Sequence, residues 1–113
     1  MNRALELYKE KIRGKKAAVL GFGVSNRPLA RTIAKWGADV TVFDRKNESD
    51  FQELSEYKNI GIKFSLGRGY LDNLKGYDVI FRTPGMHFDI PEIQRELANG
   101  AELTSEMEVF MKI

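Results

Sequence analysis

The sequence has no cysteine, which excludes disulfides, thiolate metal sites and cysteine nucleophiles and suits a reducing compartment. It has one histidine, His87, with no carboxylate, serine or cysteine partner at a recognisable spacing, so it reads as a loop-surface residue rather than a catalytic base. No apolar run nears the ~20 residues that span a bilayer. Met1 to Arg13 is charged throughout and reads as neither signal peptide nor anchor. Charge of one sign is also lacking. The 18 basic and 16 acidic residues leave a formal net charge of +2, which makes no whole-chain case for nucleic acid. There is no G-x-x-x-x-G-K-[ST] loop, no metal-ligand cluster and no nucleophile beside a base. The residues can hold a ligand, but they supply no machinery for chemistry. The expectation is a soluble, cytoplasmic, single-domain chain with neither nucleic-acid nor membrane partners.

What the chain does have is organised around Ala17 to Asn26. The unalternating apolar run Ala17 to Leu20 is expected of a parallel strand covered on both faces. Gly21 and Gly23 permit a tight turn and leave a ligand unobstructed by a Cβ. An amphipathic stretch, Pro28 to Lys35, follows. Its helix N-terminus points back at the turn and makes an anion site, usually for phosphate in such folds.

The remaining elements follow in order. Ala4 to Ile12 reads as a helix with Leu5, Tyr8 and Ile12 on one stripe, stopped by Gly14. Ser25 or Asn26 can cap the helix after the glycine turn, whose inward face is Leu29, Ile33 and Trp36. Asp39 to Asp44 is a second strand, ending on a carboxylate. Ser49-Asp50-Phe51-Gln52 has capping-box spacing and predicts one helix to about Tyr57. Ile60 to Leu66 is a third strand, Leu71 to Leu74 a short helix and Tyr77 to Arg82 a fourth strand. Thr83-Pro84-Gly85 forms a tight turn, Pro91 to Ala98 a helix and Glu102 to Thr104 a fifth strand. Ser105-Glu106-Met107-Glu108 is a second capping box, opening a helix that the chain end cuts short; this predicts one domain of a longer protein. The alternation predicts an α/β, Rossmann-like open parallel five-stranded sheet with helices on both faces.

Gly21-Phe22-Gly23-Val24-Ser25-Asn26 is a G-x-G-x-x-G fingerprint with Asn for its third glycine. Asp44 lies 23 positions after Gly21, near the ~20-residue offset of a nucleotide-reading acid. In a dinucleotide site Asp44 would hold a ribose diol; in a uridine site it would accept the N3–H of the base. The residues themselves leave both open. Arg45 and Lys46 can stack on a base, meet a phosphate or lie solvated. Thr83 to Gly85 shares the rim with Gly23, either facing a ligand or serving as an ordinary turn. Arg68, between Gly67 and Gly69, reads as a solvated loop charge, and Trp36 and Tyr77 as packing residues.

Four segments together resemble the N-terminal domain of the D-glutamate-adding Mur ligase family. They are Val19 to Ser25, Val40 to Asp44, Thr83 to Met86 and Ser105 to Phe110. The resemblance covers the chain from about Gly14 onward. It implies a parent enzyme that uses ATP and Mg²⁺ to join D-glutamate to UDP-MurNAc-L-alanine in peptidoglycan precursor synthesis. It also implies that the ATP loop and the Mg²⁺ ligands belong to a central domain of the same protein and the D-glutamate site largely to a C-terminal one, neither of which is present here. Residues 1–113 would be the part that holds the UDP end of the substrate, with no cofactor and no catalysis of its own. Carried over by position, Val24 and Ser25 would approach the diphosphate through backbone N–H groups at the helix start, with Gly23 and Asn26 beside them as substrate-binding residues of the same turn. Asp44 and Arg45 would read the uracil, with Arg45 or Lys46 stacking on it. Thr83, Pro84 and Gly85 would line the rim near the sugar and phosphates. The departures are Asn26 for the family's usual Gly, Thr83 for Ser, and Arg45-Lys46 for a Thr-Arg or Ser-Lys pair. The alternative is an NAD(P)-binding Rossmann domain of a dehydrogenase or regulatory sensor, which the altered third glycine and the Ser105 to Phe110 segment disfavour.

Overall fold

A computed structural model describes residues 3–23, 26–83, 90–106 and 108–109. The elements in order are α1 (Arg3–Ile12), β1 (Lys16–Leu20), α2 (Asn26–Lys35), β2 (Asp39–Asp44), α3 (Leu54–Asn59), β3 (Lys63–Leu66), β4 (Val79–Arg82), α4 (Pro91–Ala98) and β5 (Glu102–Ser105). Short 3-10 turns occupy Glu48–Asp50 and Tyr70–Asn73. The strands form one sheet in the order β3-β2-β1-β4-β5, every neighbouring pair parallel. The chain starts at the centre, winds outward to β3, then crosses back over β1 to β4 and β5. That reversal marks where open α/β sheets bind ligands, outside the carboxyl ends of the strands.

Both faces of the sheet are covered, which is why the β1 run does not alternate. Ala17 and Val19 pack with Ile12 of α1, Leu29 and Ile33 of α2 and Leu54 of α3. Ala18 and Leu20 point to the other face, against Leu71, Leu74 and Ile93 of α4. Ala17 to Leu20 are all fully buried, whereas Lys16 at the head of β1 is exposed. Each large aliphatic side chain buried this way is worth about 1.5–3 kcal/mol. Trp36 and Tyr77 are packing residues as expected. Trp36 meets Tyr8 edge-on at 6.1 Å, and Tyr77 meets Phe43 at 5.5 Å.

The middle of the chain departs from the sequence expectation in the helix expected after Ser49 and at the start of the third strand, and the fourth strand begins at Val79 rather than Tyr77. The single helix expected from Ser49 to Tyr57 is broken. The 3-10 turn ends at Asp50, Phe51 is extended, and Glu53 takes φ +63 before α3 begins. The capping box sits two residues earlier than the Ser49 to Gln52 spacing predicts: Asn47 is the cap, and its N–H donates to Asp50 Oδ2 at 2.9 Å. Phe51 leaves the helical path and meets the Phe22 ring edge-on at 5.8 Å, so tertiary packing overrides local propensity. The third strand also starts late. Ile60 caps α3 and is exposed, Gly61 turns the chain at φ +94, and pairing begins only with Lys63 opposite Thr41.

Candidate ligand-binding site

The carboxyl end of β1 runs into the glycine turn. Gly21 has φ +89, and its N–H donates to the Phe43 carbonyl at 2.7 Å. A Cβ built on Gly21 would lie 2.7 Å from Thr83 Cγ2, so glycine is required here both by backbone angle and by the approach of β4's end. Gly23 differs. It is exposed, and a Cβ there would meet nothing within 4 Å. The protein's own packing does not demand glycine at 23, and the space beside it stays open.

Asn26, the first residue of α2, is buried. Its Nδ2 donates to the Leu20 carbonyl at 3.1 Å and the Gly21 carbonyl at 3.0 Å. The side chain that replaces the usual glycine therefore pins the helix start to the end of β1. It faces inward, so only the backbone of Asn26 is left to meet a ligand.

Asp44 ends β2 half-buried, with its carboxylate fixed from two sides. Oδ2 accepts the Phe22 N–H at 2.9 Å and Oδ1 accepts the Lys46 N–H at 2.9 Å. A carboxylate offers about four acceptor sites, so these two bonds orient it and leave capacity for a ligand donor. On the other side of Phe22, its carbonyl accepts Arg27 Nε at 3.2 Å. The Arg27 guanidinium lies 5.0 Å from the Phe22 ring centroid and 5.9 Å from that of Phe51. Phe22 itself is buried and also meets Tyr57 and Phe64 edge-on.

These groups surround a groove of about 580 Å³ at the strand ends. Phe22, Gly23 and Arg27 wall it from the turn and the start of α2, Asp44 and Lys46 from the end of β2, and Phe51 from the loop beyond. Arg45 is exposed and is not one of its walls, and Arg68 is exposed on its loop. Farther along the rim, Thr83 is half-buried against Gly21. Ser105 caps the residues after β5, its Oγ accepting the Glu108 N–H at 3.1 Å. Glu108 in turn meets Arg82 at 3.3 Å and accepts from Thr104 Oγ1 at 3.2 Å. Val24, Ser25, Pro84, Gly85 and His87 lie outside the described residues.

Sequence reasoning passes over Arg27 and Phe51. The signal for Arg27 is its place in the first helical turn directly after the glycine loop. Phe51 carries no such signal, because its role depends on the break in the helix expected there.

Among the described residues, no group of three or more histidine, aspartate or glutamate side chains is placed to hold a metal ion. The sequence carries no G-x-x-x-x-G-K-[ST] phosphate-binding loop. No helix among the described residues is long and apolar enough to cross a membrane.

Three comparisons place the chain among known proteins. The family model for the Mur ligase MurD-like N-terminal domain matches residues 15–105. The UDP-N-acetylmuramoylalanine--D-glutamate ligase of Acetivibrio thermocellus is 52% identical over 100% of this chain, and that of Ruminiclostridium cellulolyticum is 50% identical over the same share. In both cases the chain spans 24% of the relative's length, about a quarter. Among solved structures, a dipicolinate synthase from Bacillus halodurans superposes with a TM-score of 0.66 at 18% identity, over 96% of this chain and 40% of that one. Shikimate dehydrogenase from Aquifex aeolicus gives 0.60 at 14%, over 96% and 48%. At such identities the likeness concerns the fold alone, a parallel sheet wrapped by helices.

Proposed function

Because the chain belongs to the Mur ligase MurD-like N-terminal domain family, we propose that it holds the UDP end of UDP-MurNAc-L-alanine within a ligase that adds D-glutamate to that substrate. The observation that carries this reading is the Asp44 carboxylate, oriented by two backbone N–H groups on the wall of a groove that also contains the glycine turn.

Uracil presents one N–H donor, at N3, between two carbonyl acceptors. An ionised carboxylate only accepts, so Asp44 suits N3–H. Cytosine carries a lone pair at N3 and would face Asp44 acceptor to acceptor. Lys46, on the same wall, is the better placed of the two basic neighbours to lie against the base, since Arg45 stands outside the groove. The open space beside Gly23 and the start of α2 suit the diphosphate. Thr83 to Gly85 would then line the sugar side of the rim.

The inward Asn26 side chain favours this over a dinucleotide. In the dinucleotide fingerprint the third glycine brings helix and strand into direct contact, whereas here an amide stands between them. In this reading the ATP chemistry, with its Mg²⁺, belongs to further domains of a cytoplasmic parent enzyme, and the present chain is a substrate handle without catalysis of its own.

Calorimetric titration of the chain with UDP and with CDP tests the reading. The two ligands share ribose and diphosphate, so the base alone separates them. UDP binds at least about tenfold more tightly if Asp44 reads N3–H, the equivalent of one hydrogen bond to a charged acceptor. Equal affinities overturn the uracil assignment.

A further inference from the structure

We propose that Arg27 is a base-binding residue whose planar guanidinium serves as the platform on which the base of the ligand lies. The inference rests on the uridine-nucleotide reading above and adds a specificity-determining residue to it.

Phe22 links the two side chains concerned. Its N–H donates to Asp44 and its carbonyl accepts from Arg27, so one residue ties the carboxylate and the guanidinium to a single groove, which they line from two sides. Arg27 therefore lines the same groove as Asp44, joined to it through the one residue that both side chains bind. Arg27 is also held in place. Nε is anchored at 3.2 Å, and the guanidinium lies over two rings, those of Phe22 and Phe51. Phe22 is buried and closed in by Tyr57 and Phe64 as well. The guanidinium lines the groove beside Phe22 and Phe51, whose rings meet each other edge-on. A long flexible side chain would ordinarily lose rotamer entropy on meeting a ligand, but here that freedom is already spent within the folded chain. A flat cation fixed in this way offers a π-face to a flat base, and Arg stacking on bases is a recurrent mode of nucleotide recognition.

Geometry separates this role from phosphate binding. A phosphate contact needs charge, which Lys also supplies. A platform needs the plane, which Lys lacks. Titration of the wild-type chain, Arg27→Lys and Arg27→Gln with uridine and with UDP, followed by amide chemical shifts, distinguishes the two. Both variants are expected to lose about tenfold in affinity, by the same factor for uridine as for UDP, with Lys failing to rescue. A loss seen with UDP but not uridine, or affinity retained by Arg27→Lys, overturns the platform role. So does unchanged binding in both variants. Dispersed amide spectra of the variants confirm folding, and Arg27→Lys keeps the cation over the rings should Arg27→Gln loosen them. A wild-type chain that binds UDP no better than CDP instead overturns the uridine reading itself, independently of Arg27.

Discussion

Asp44 does two things at once, and they pull on different measurements. In sequence it is a carboxylate at a strand end, where few core contacts are expected. In the fold it accepts N–H groups from Phe22 and Lys46, so it also holds the glycine turn against β2. Asp44→Ala is therefore expected to weaken UDP binding by about ten- to a hundredfold. It should also lower stability by about 1–3 kcal/mol, because the Phe22 N–H loses its acceptor. Denaturant midpoints measured beside the titration would read the second effect, and an unchanged midpoint would contradict the bracing role. Gly21 makes a purely structural case. Gly21→Ala forces a Cβ against Thr83 Cγ2 and into φ +89, at about 1–3 kcal/mol for the backbone alone. Adding Thr83→Ser removes the methyl and should restore part of the loss, never all of it. Full recovery would mean that the backbone angle costs nothing; no recovery would mean that the methyl is not what resists.

At the scale of elements, α1 contributes no wall to the ligand groove and is open to a pH test. Its stripe of Leu5, Tyr8 and Ile12 is legible from spacing, and Ile12 is buried while Tyr8 packs on Trp36. Burial, and secondarily the charge of Glu102, pushes the Tyr8 hydroxyl up to about 12 from 10.0. A folded pKa above the unfolded one means that the folded state favours the protonated phenol. That contribution is complete below the unfolded value and disappears as pH climbs from 10.0 towards about 12. Tyr8→Phe removes the titrating group, so the variant should lose less thermal stability than wild type across that window. Parallel melting profiles for the two chains would contradict it. The elements whose local signals mislead share a cause. The 49–57 helix has good local signals, yet Phe51 is drawn to Phe22 in the glycine turn, and no local pattern encodes that attraction. Ile60 resembles the start of a strand because it is β-branched, but Gly61 turns the chain after it.

At the scale of the whole molecule, the parallel sheet and its two covered faces are legible because Ala17 to Leu20 lacks alternation and helical and strand periods alternate along the chain. The glycine turn and Asp44 are legible because their separation matches one strand–helix–strand unit. The groove is not. Its walls come from the turn, α2, β2 and the Phe51 loop, and only the winding of the sheet brings them together. The central claim is that this convergence suits a uridine diphosphate sugar rather than a dinucleotide. The most direct test is a chemical-shift titration of the labelled chain with UDP-MurNAc-L-alanine, NAD⁺ and NADP⁺ under one buffer condition. The account predicts that UDP-MurNAc-L-alanine saturates the chain at the lowest concentration and shifts the amides of Gly23 and Asp44. Tighter saturation by NAD⁺ or NADP⁺, with shifts at those same two residues, would contradict it.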